Sequence, residues 1–253
     1  MKPILRYRNE IPFYHEKTAL EFQQDNYERY EEMVVRQSGL HLAKELWETY
    51  PFQPIFDFAE QHYPKSEDIN IVEVGCGVGG WIAMLAKRYP YATLWGIDYS
   101  YQMLKLAHEY WTQAKDISVD WTAKGFTHQL IKGELLKNLN FGLAKAEKLP
   151  FEDSSQNLVL NSFLLDRLED PQQGLEEMYR VLKPSGKLIM ISPLNFSKLD
   201  HWNKFYPSRK LSNVLEDIGF KILSWEDDII INEPLDTHGN SVCWKCIGFV
   251  LKK

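Results

Sequence analysis

Ile71-Val72-Glu73-Val74-Gly75-Cys76-Gly77-Val78-Gly79-Gly80-Trp81 is the stretch whose reading decides the fold. An apolar run of strand type turns through closely spaced glycines into a helical pattern. Glycines there let the main chain approach a ligand closely, and the N–H groups of the helix that follows aim at it, so the stretch reads as a nucleotide-type site. The spacing leaves two versions open: Gly75, Gly77 and Gly80 fit the dinucleotide pattern GxGxxG, whereas Gly75, Gly77 and Gly79 fit a tighter GxGxG. Glu73 favours the second. A carboxylate two positions before the first glycine would repel a pyrophosphate and help to hold a cationic amino acid moiety. The bland alternative is a structural turn with no ligand.

Outward from this stretch, short apolar runs alternate with helical patterns, which is how a parallel sheet with crossover helices is written. The run Thr93 to Ile97 ends at Asp98, 23 positions after Gly75. At the carboxyl edge of a parallel sheet that carboxylate can accept both hydroxyls of a ribose; capping the next helix is the competing role, but Ser100 already fills it. Further runs are Phe141 to Ala144, followed by Ala146-Glu147, then Leu158 to Phe163 and Lys187 to Ser192. Phe220 to Ile231 and Ser241 to Leu251 read as a closing hairpin. The expected fold class is therefore α/β: a Rossmann-like doubly wound sheet of about seven strands, mostly parallel with an antiparallel terminal strand. Residues 65–253 form that domain, with a polar insertion at about 112–138. Residues 1–64 read as an aromatic-rich helical cap or lid, with Thr18 and Glu21 spaced as a capping box and Leu20, Tyr27, Tyr30 and Val34 on one helical stripe.

Composition narrows the function. The chain has 253 residues, 44% hydrophobic and 25% charged, with 13 Tyr, 13 Phe and 8 Trp, which is globular rather than disordered. Its 29 basic and 35 acidic residues sum to −6, so no nucleic-acid partner is expected. Neither a membrane span nor a secretory signal is readable, and three cysteines do not make a disulfide framework, which together read as a cytoplasmic protein with no membrane partner. Cys243 and Cys246, three apart on a strand, face opposite sides and read as packing residues, so no metal site is expected.

The segments EVGCGVGG, WGIDYS, KAEKLPFEDSSQNLVL and RVLKPSGKLIMISP, in that order within residues 69–192, resemble the class I S-adenosylmethionine-dependent methyltransferases, in particular the small-molecule enzymes with that domain. The resemblance implies S-adenosylmethionine as cofactor, S-adenosylhomocysteine as product and a small-molecule acceptor. It further implies that Glu73 and the loop Gly75, Cys76, Gly77 and Gly79 hold the methionine part and Asp98 the ribose. Tyr99 and Met103 would face the adenine, Ala146 and Glu147 its edge, and Asn161, Ser162 and Phe163 would line the methionine end. Where many relatives carry a histidine after the fourth strand, this chain has Asn161-Ser162-Phe163-Leu164-Leu165-Asp166, so a basic histidine there is not carried over.

Methyl transfer from a sulfonium is an in-line displacement in which positioning and exclusion of water do most of the work, so a strong base is optional. If the acceptor needs a proton acceptor, the catalytic candidates are Asp166, His201 and His238, each in a loop expected at the carboxyl edge of the sheet. Two other functions compete: a catalytically silent cofactor-binding or interaction protein, and a nicotinamide-dependent oxidoreductase suggested by the GxGxxG spacing.

Overall fold

The computed structural model describes all 253 residues. Its strands are β1 (Arg6–Arg8), β2 (Ile11–Phe13), β3 (Asn70–Val74), β4 (Thr93–Asp98), β5 (Ile117–Val119), β6 (Gln129–Ile131), β7 (Leu139–Leu143), β8 (Gln156–Ser162), β9 (Leu182–Ser192), β10 (Lys221–Pro234) and β11 (Ser241–Lys252). Its helices are α1 (Ala19–Gln24), α2 (Asn26–Arg29), α3 (Glu31–His41), α4 (Gln53–Glu60), α5 (Gly80–Arg88), α6 (Tyr101–Thr112), α7 (Pro171–Val181), α8 (Leu199–Phe205) and α9 (Ser208–Ile218). Nine strands form the main sheet in the order β1-β2-β7-β4-β3-β8-β9-β11-β10.

The pairs β7–β4, β4–β3, β3–β8 and β8–β9 are parallel, while β11 runs antiparallel to β9 and β10 to β11. This is the expected doubly wound sheet with its hairpin end, and it has two strands more than the sequence suggests. The addition is β1 and β2, at the edge where β2 sets Phe13 beside Leu143 of β7. Ile11 and Phe13 are buried, so the first dozen residues close an edge of the sheet instead of continuing a helical cap.

Two apolar layers flank the sheet. One contains Ile71, Leu94, Phe141 and Leu160 with residues of α3, α4, α5 and α6; the other contains Val72, Val74, Ile97 and Val159 with residues of α7 and α9. Strand residues alternate between them because successive side chains of a strand point to opposite faces. Both faces of the central strands are thus buried, which is why their sequence reads as continuous apolar runs.

The amino-terminal helical run also differs from the expected stripe. It breaks at Asp25 and again at Tyr30, both in extended conformation, into α1, α2 and α3. The capping box of Thr18 and Glu21 is formed, yet Leu20 is 62% exposed and Tyr30 41%, so α1 and the end of α2 do not bury the stripe. Asp25 explains the first break, since its carboxylate accepts the N–H groups of Tyr27 and Glu28 and so starts a new helix. Within residues 112–138, β5 and β6 form a small antiparallel hairpin, and Trp121 of that segment packs on Gly39 of α3, which explains a glycine inside a helix. No helix is long and apolar enough to cross a membrane.

Candidate functional site

The chain runs from β3 to β4 and β7 on one side and returns to β8 on the other. The carboxyl ends of β7, β4, β3 and β8 therefore line one crevice where the sheet order reverses, the place at which open α/β sheets receive ligands. At that edge the turn after β3 bends through Gly75, Gly77 and Gly79, all with positive φ, into α5. It is tied to the neighbouring strand: Gly75 and Cys76 donate their N–H groups to Ile97 O at 2.7 and 3.1 Å, and Gly77 N–H donates to Asp98 Oδ2 at 2.8 Å.

The three glycines have different surroundings. A Cβ on Gly75 would meet Leu164 at 3.0 Å and one on Gly79 would meet Phe141 at 3.0 Å, but a Cβ on Gly77 meets nothing within 4 Å. The loop therefore presents open space at Gly77, bordered by Asp98, and room for a ligand lies there. Cys76 is buried, and its Sγ would lie 2.8 Å from a Cβ on Gly96, so the thiol packs under the loop.

Glu73 is 3% exposed, and its Oε2 accepts the N–H of Ile82 in the first turn of α5 at 2.9 Å. Burial pushes its carboxyl up to about 8, against the opposing effect of that hydrogen bond. A cationic group brought alongside would favour the ionised form. Asp98 accepts from both Gly77 and Ser100 at 2.8 Å; burial raises its pKa, and the two N–H groups work against that rise. It joins the ends of two strands and leaves carboxylate lone pairs for a ligand hydroxyl.

Tyr99 is half-buried under the amino-terminal segment. Lys17 Nζ stands 4.3 Å from its ring centroid and Lys145 Nζ 5.5 Å, while its hydroxyl is 3.4 Å from His15 Nε2. Glu28 Oε1 accepts the N–H of Tyr101 at 2.5 Å and also bonds Lys17 Nζ at 3.0 Å. Met103 is 2% exposed within the core layer beneath. Ala146 and Glu147 lie on a single 3-10 turn after β7; Ala146 is buried, and Glu147 Oε1 accepts the N–H groups of Glu169 and Asp170. Asn161 faces α7, with Nδ2 3.5 Å from Met178 Sδ and Oδ1 buried without a partner. Ser162 ends β8, and Phe163 follows with φ +53°, its N–H donating to Ile191 O.

Of the three proton-acceptor candidates, Asp166 lies just beyond the end of β8. It is buried, Oδ1 accepts from Ser192 Oγ at 3.2 Å, and Oδ2 has no hydrogen-bond partner, with Arg167 Nε at 3.7 Å. The structure does not bring the two histidines to it. His201 stands on α8 against Phe196 and Phe205, on the α9 side of the sheet. His238 is exposed in the β10–β11 turn, where its backbone N–H donates to Asp236. That turn is held outward because Thr237 N–H donates to Lys124 O of the insertion.

Sequence reading missed a second group of residues beside the loop. His41, at the end of α3, lies against Gly80, with its Cβ 3.4 Å from where a Gly80 Cβ would stand. Its Nδ1 is 3.0 Å from Tyr50 Oη. His41 lies against Phe52 with ring centroids 4.5 Å apart and the rings tilted by 31°, Phe52 meets Phe163 at 5.9 Å, and Phe163 meets Trp244 at 5.7 Å. Trp244 Nε1 donates to Glu233 Oε2 at 2.8 Å, and Glu233 also pairs with Arg36 of α3. An aromatic wall thus runs from the first turn of α5 to β11. These residues are scattered along the chain, and apart from Phe163, which the family resemblance sets at the methionine end, no local spacing in the sequence marks them.

Residues 72–190 match the family model described as a methyltransferase domain. The chain is similar to a demethylmenaquinone methyltransferase of Lactiplantibacillus plantarum, 32% identical over 127 residues that make up 50% of this chain and 46% of that protein. It is also similar to a ubiquinone/menaquinone biosynthesis C-methyltransferase, UbiE, of Rickettsia bellii, 34% identical over 152 residues, 59% of this chain and 54% of that one. The chain spans about half the length of the curated relatives it matches. Among solved structures, a chain from the complex between the Haloferax volcanii Trm112 methyltransferase activator and its putative methyltransferase superposes with a TM-score of 0.60, 18% identity, 88% of this chain and 94% of that one covered. A S-adenosylmethionine-dependent methyltransferase from Aquifex aeolicus gives 0.54 at 19% identity, covering 88% and 98%. The [4+2]-cyclase SpnF also gives 0.54, at 20% identity, covering 78% and 74%. These likenesses show the fold.

Proposed function

We propose that the chain, whose residues 72–190 match a methyltransferase domain, is an enzyme that transfers the methyl group of S-adenosylmethionine to a small-molecule acceptor. The observation that carries this reading is the open space at Gly77, bordered by the Asp98 carboxylate and lying one turn from buried Glu73. The cofactor supplies a methyl group already activated on a sulfonium. The chain's residues bind and orient: Asp98 takes the ribose hydroxyls, Glu73 and the glycine loop the amino acid end, and Tyr99 with Ala146 and Glu147 the adenine. Residues 14–41 act as a lid. Lys17 and Glu28 fasten it to Tyr99 and Tyr101, and Arg36 fastens it to Glu233, so the reacting centre is shut from water.

The acceptor lies against the wall of Phe52, Phe163 and Trp244, which suits a planar, apolar molecule. The relatives' names make a quinol a natural first acceptor to try. Asp166, with a free buried oxygen near the end of β8, is the proton acceptor in this reading. The SpnF likeness favours a second reading, in which the same fold works without methyl transfer. Incubation of the full chain with S-adenosylmethionine and demethylmenaquinol, followed by mass spectrometry, separates the two. S-adenosylhomocysteine and a methylated quinol are expected; cofactor that binds and is returned unchanged with quinols and with a metabolite extract favours the second reading.

A further inference from the structure

We propose that His41 and Tyr50 form an acceptor-reading pair, in which His41 Nε2–H donates a hydrogen bond to a carbonyl or phenolate oxygen on a planar aromatic acceptor. This assignment rests on the methyl-transfer reading for the acceptor's purpose, but the site itself rests on geometry. His41 Nδ1 faces Tyr50 Oη at 3.0 Å, and Nε2 has no protein partner and is open to solvent. Tyr50 is held in place by stacking on Phe56 at 5.5 Å between centroids, and Lys44 Nζ lies 5.5 Å from its ring. The imidazole is clamped between Gly80 of α5 and the Phe52 ring, so its plane is fixed beside the glycine loop.

Burial lowers the pKa of His41 to about 4, and burial, reinforced by the charge of Glu73, raises that of Tyr50. Both groups are therefore neutral around pH 7; in the proposed pair Tyr50 O–H donates to Nδ1, which leaves the imidazole proton on Nε2. A fixed donor of this kind rewards an oxygen that carries negative charge, because hydrogen bonds to charged groups are the stronger ones. Phe52 and Phe163 next to it supply the flat apolar contact. An aromatic acceptor with an ionised or ionisable oxygen fits both features. The donor holds that oxygen and leaves the sign of the ring's charge to favour attack on a cationic methyl donor.

The probe is 4-nitrophenol, whose visible absorbance separates phenol from phenolate. The full chain is titrated from acid to alkaline pH with the probe in the presence of saturating S-adenosylhomocysteine, whose own binding is measured by calorimetry. In the parent, the bound probe should ionise at lower pH than in His41→Phe, by about one unit, the size of a hydrogen bond to a charged group. His41→Gln, which keeps an N–H donor, should recover part of the difference, and Tyr50→Phe, which releases the tautomer, should lose part of it. Equal apparent pKa values in the parent and in folded His41→Phe, or a parent that does not bind the probe, would overturn the assignment. A parent that shows the His41-dependent shift yet binds no S-adenosylhomocysteine keeps the pair and overturns the methyl-transfer reading.

Discussion

Alanine at Gly77 and at Gly79 separates what the loop does for folding from what it does for a ligand. Both glycines have left-handed backbone, with φ of +53° and +77°. An L-residue there costs about 1–2 kcal/mol. For a chain of this size that is a fall in melting temperature of roughly 2–8 °C. The surroundings then divide the two variants. At Gly79 the new Cβ meets Phe141 at 3.0 Å and Trp111 at 3.3 Å. Overpacking adds about 1–3 kcal/mol, so Gly79→Ala should be the less stable protein. At Gly77 the new Cβ meets no protein atom and projects into the space assigned to the cofactor. Gly77→Ala should keep most of its stability and lose at least about tenfold in affinity for S-adenosylhomocysteine, about 1.4 kcal/mol. Thermal melts and calorimetric titrations on the two variants read both quantities. A folded Gly77→Ala that binds as tightly as the parent would refute the assignment of that space.

Three further outcomes are expected. Glu73, held protonated up to about 8 by burial against an ordinary 4.5, binds its proton more tightly in the folded state, so its contribution to stability is complete below the ordinary carboxylate range and is lost as pH rises through about 8. The stability of the parent relative to Glu73→Gln should therefore fall steadily between about pH 5 and about pH 8, and a flat difference in denaturant melts contradicts this. Glu177, 8% exposed, accepts from Leu149 N–H and from Arg180, which also bonds Asp153 and the carbonyls of Leu149 and Phe151; Glu177→Ala leaves the Leu149 N–H without a partner and Arg180 with only the exposed Asp153 carboxylate, and should cost about 3 kcal/mol, read from urea midpoints. Glu28→Ala should loosen the lid, so that limited proteolysis cuts sooner between residues 14 and 30 while the core resists; unchanged cleavage there sinks the lid. A deletion of residues 1–38 is a poorer test, because it would also remove the buried Ile11 and Phe13 from the sheet edge.

The sheet and the glycine loop with Asp98 at its carboxyl edge were legible because each rests on local chemistry. Continuous apolar runs mark strands buried on both faces, and the glycines, Asp98 and Ser100 occur within a few residues of the strand ends that place them. The amino-terminal segment was not legible in the same way. Its aromatic spacing fits a helix, but the Asp25 carboxylate and the pairing of β2 with β7 are decided by competition and by partners 130 residues away. His201 and His238 read as site residues because their loops follow sheet strands. Their positions depend on packing against Phe196 and on the contact between Thr237 and Lys124, which no spacing encodes. His41 escaped notice for the same reason: only the folded chain brings it to Gly80 and Tyr50.

A calorimetric titration of the full chain with S-adenosylhomocysteine, NAD and NADP tests most directly whether the crevice at the ends of β3 and β4 holds S-adenosylmethionine. S-adenosylhomocysteine should bind the parent and the dinucleotides should not, and Asp98→Asn should weaken the binding by about 1.5–3 kcal/mol, as expected for hydrogen bonds to a charged group. Binding of a dinucleotide in place of S-adenosylhomocysteine, or undiminished affinity in folded Asp98→Asn, would contradict that assignment.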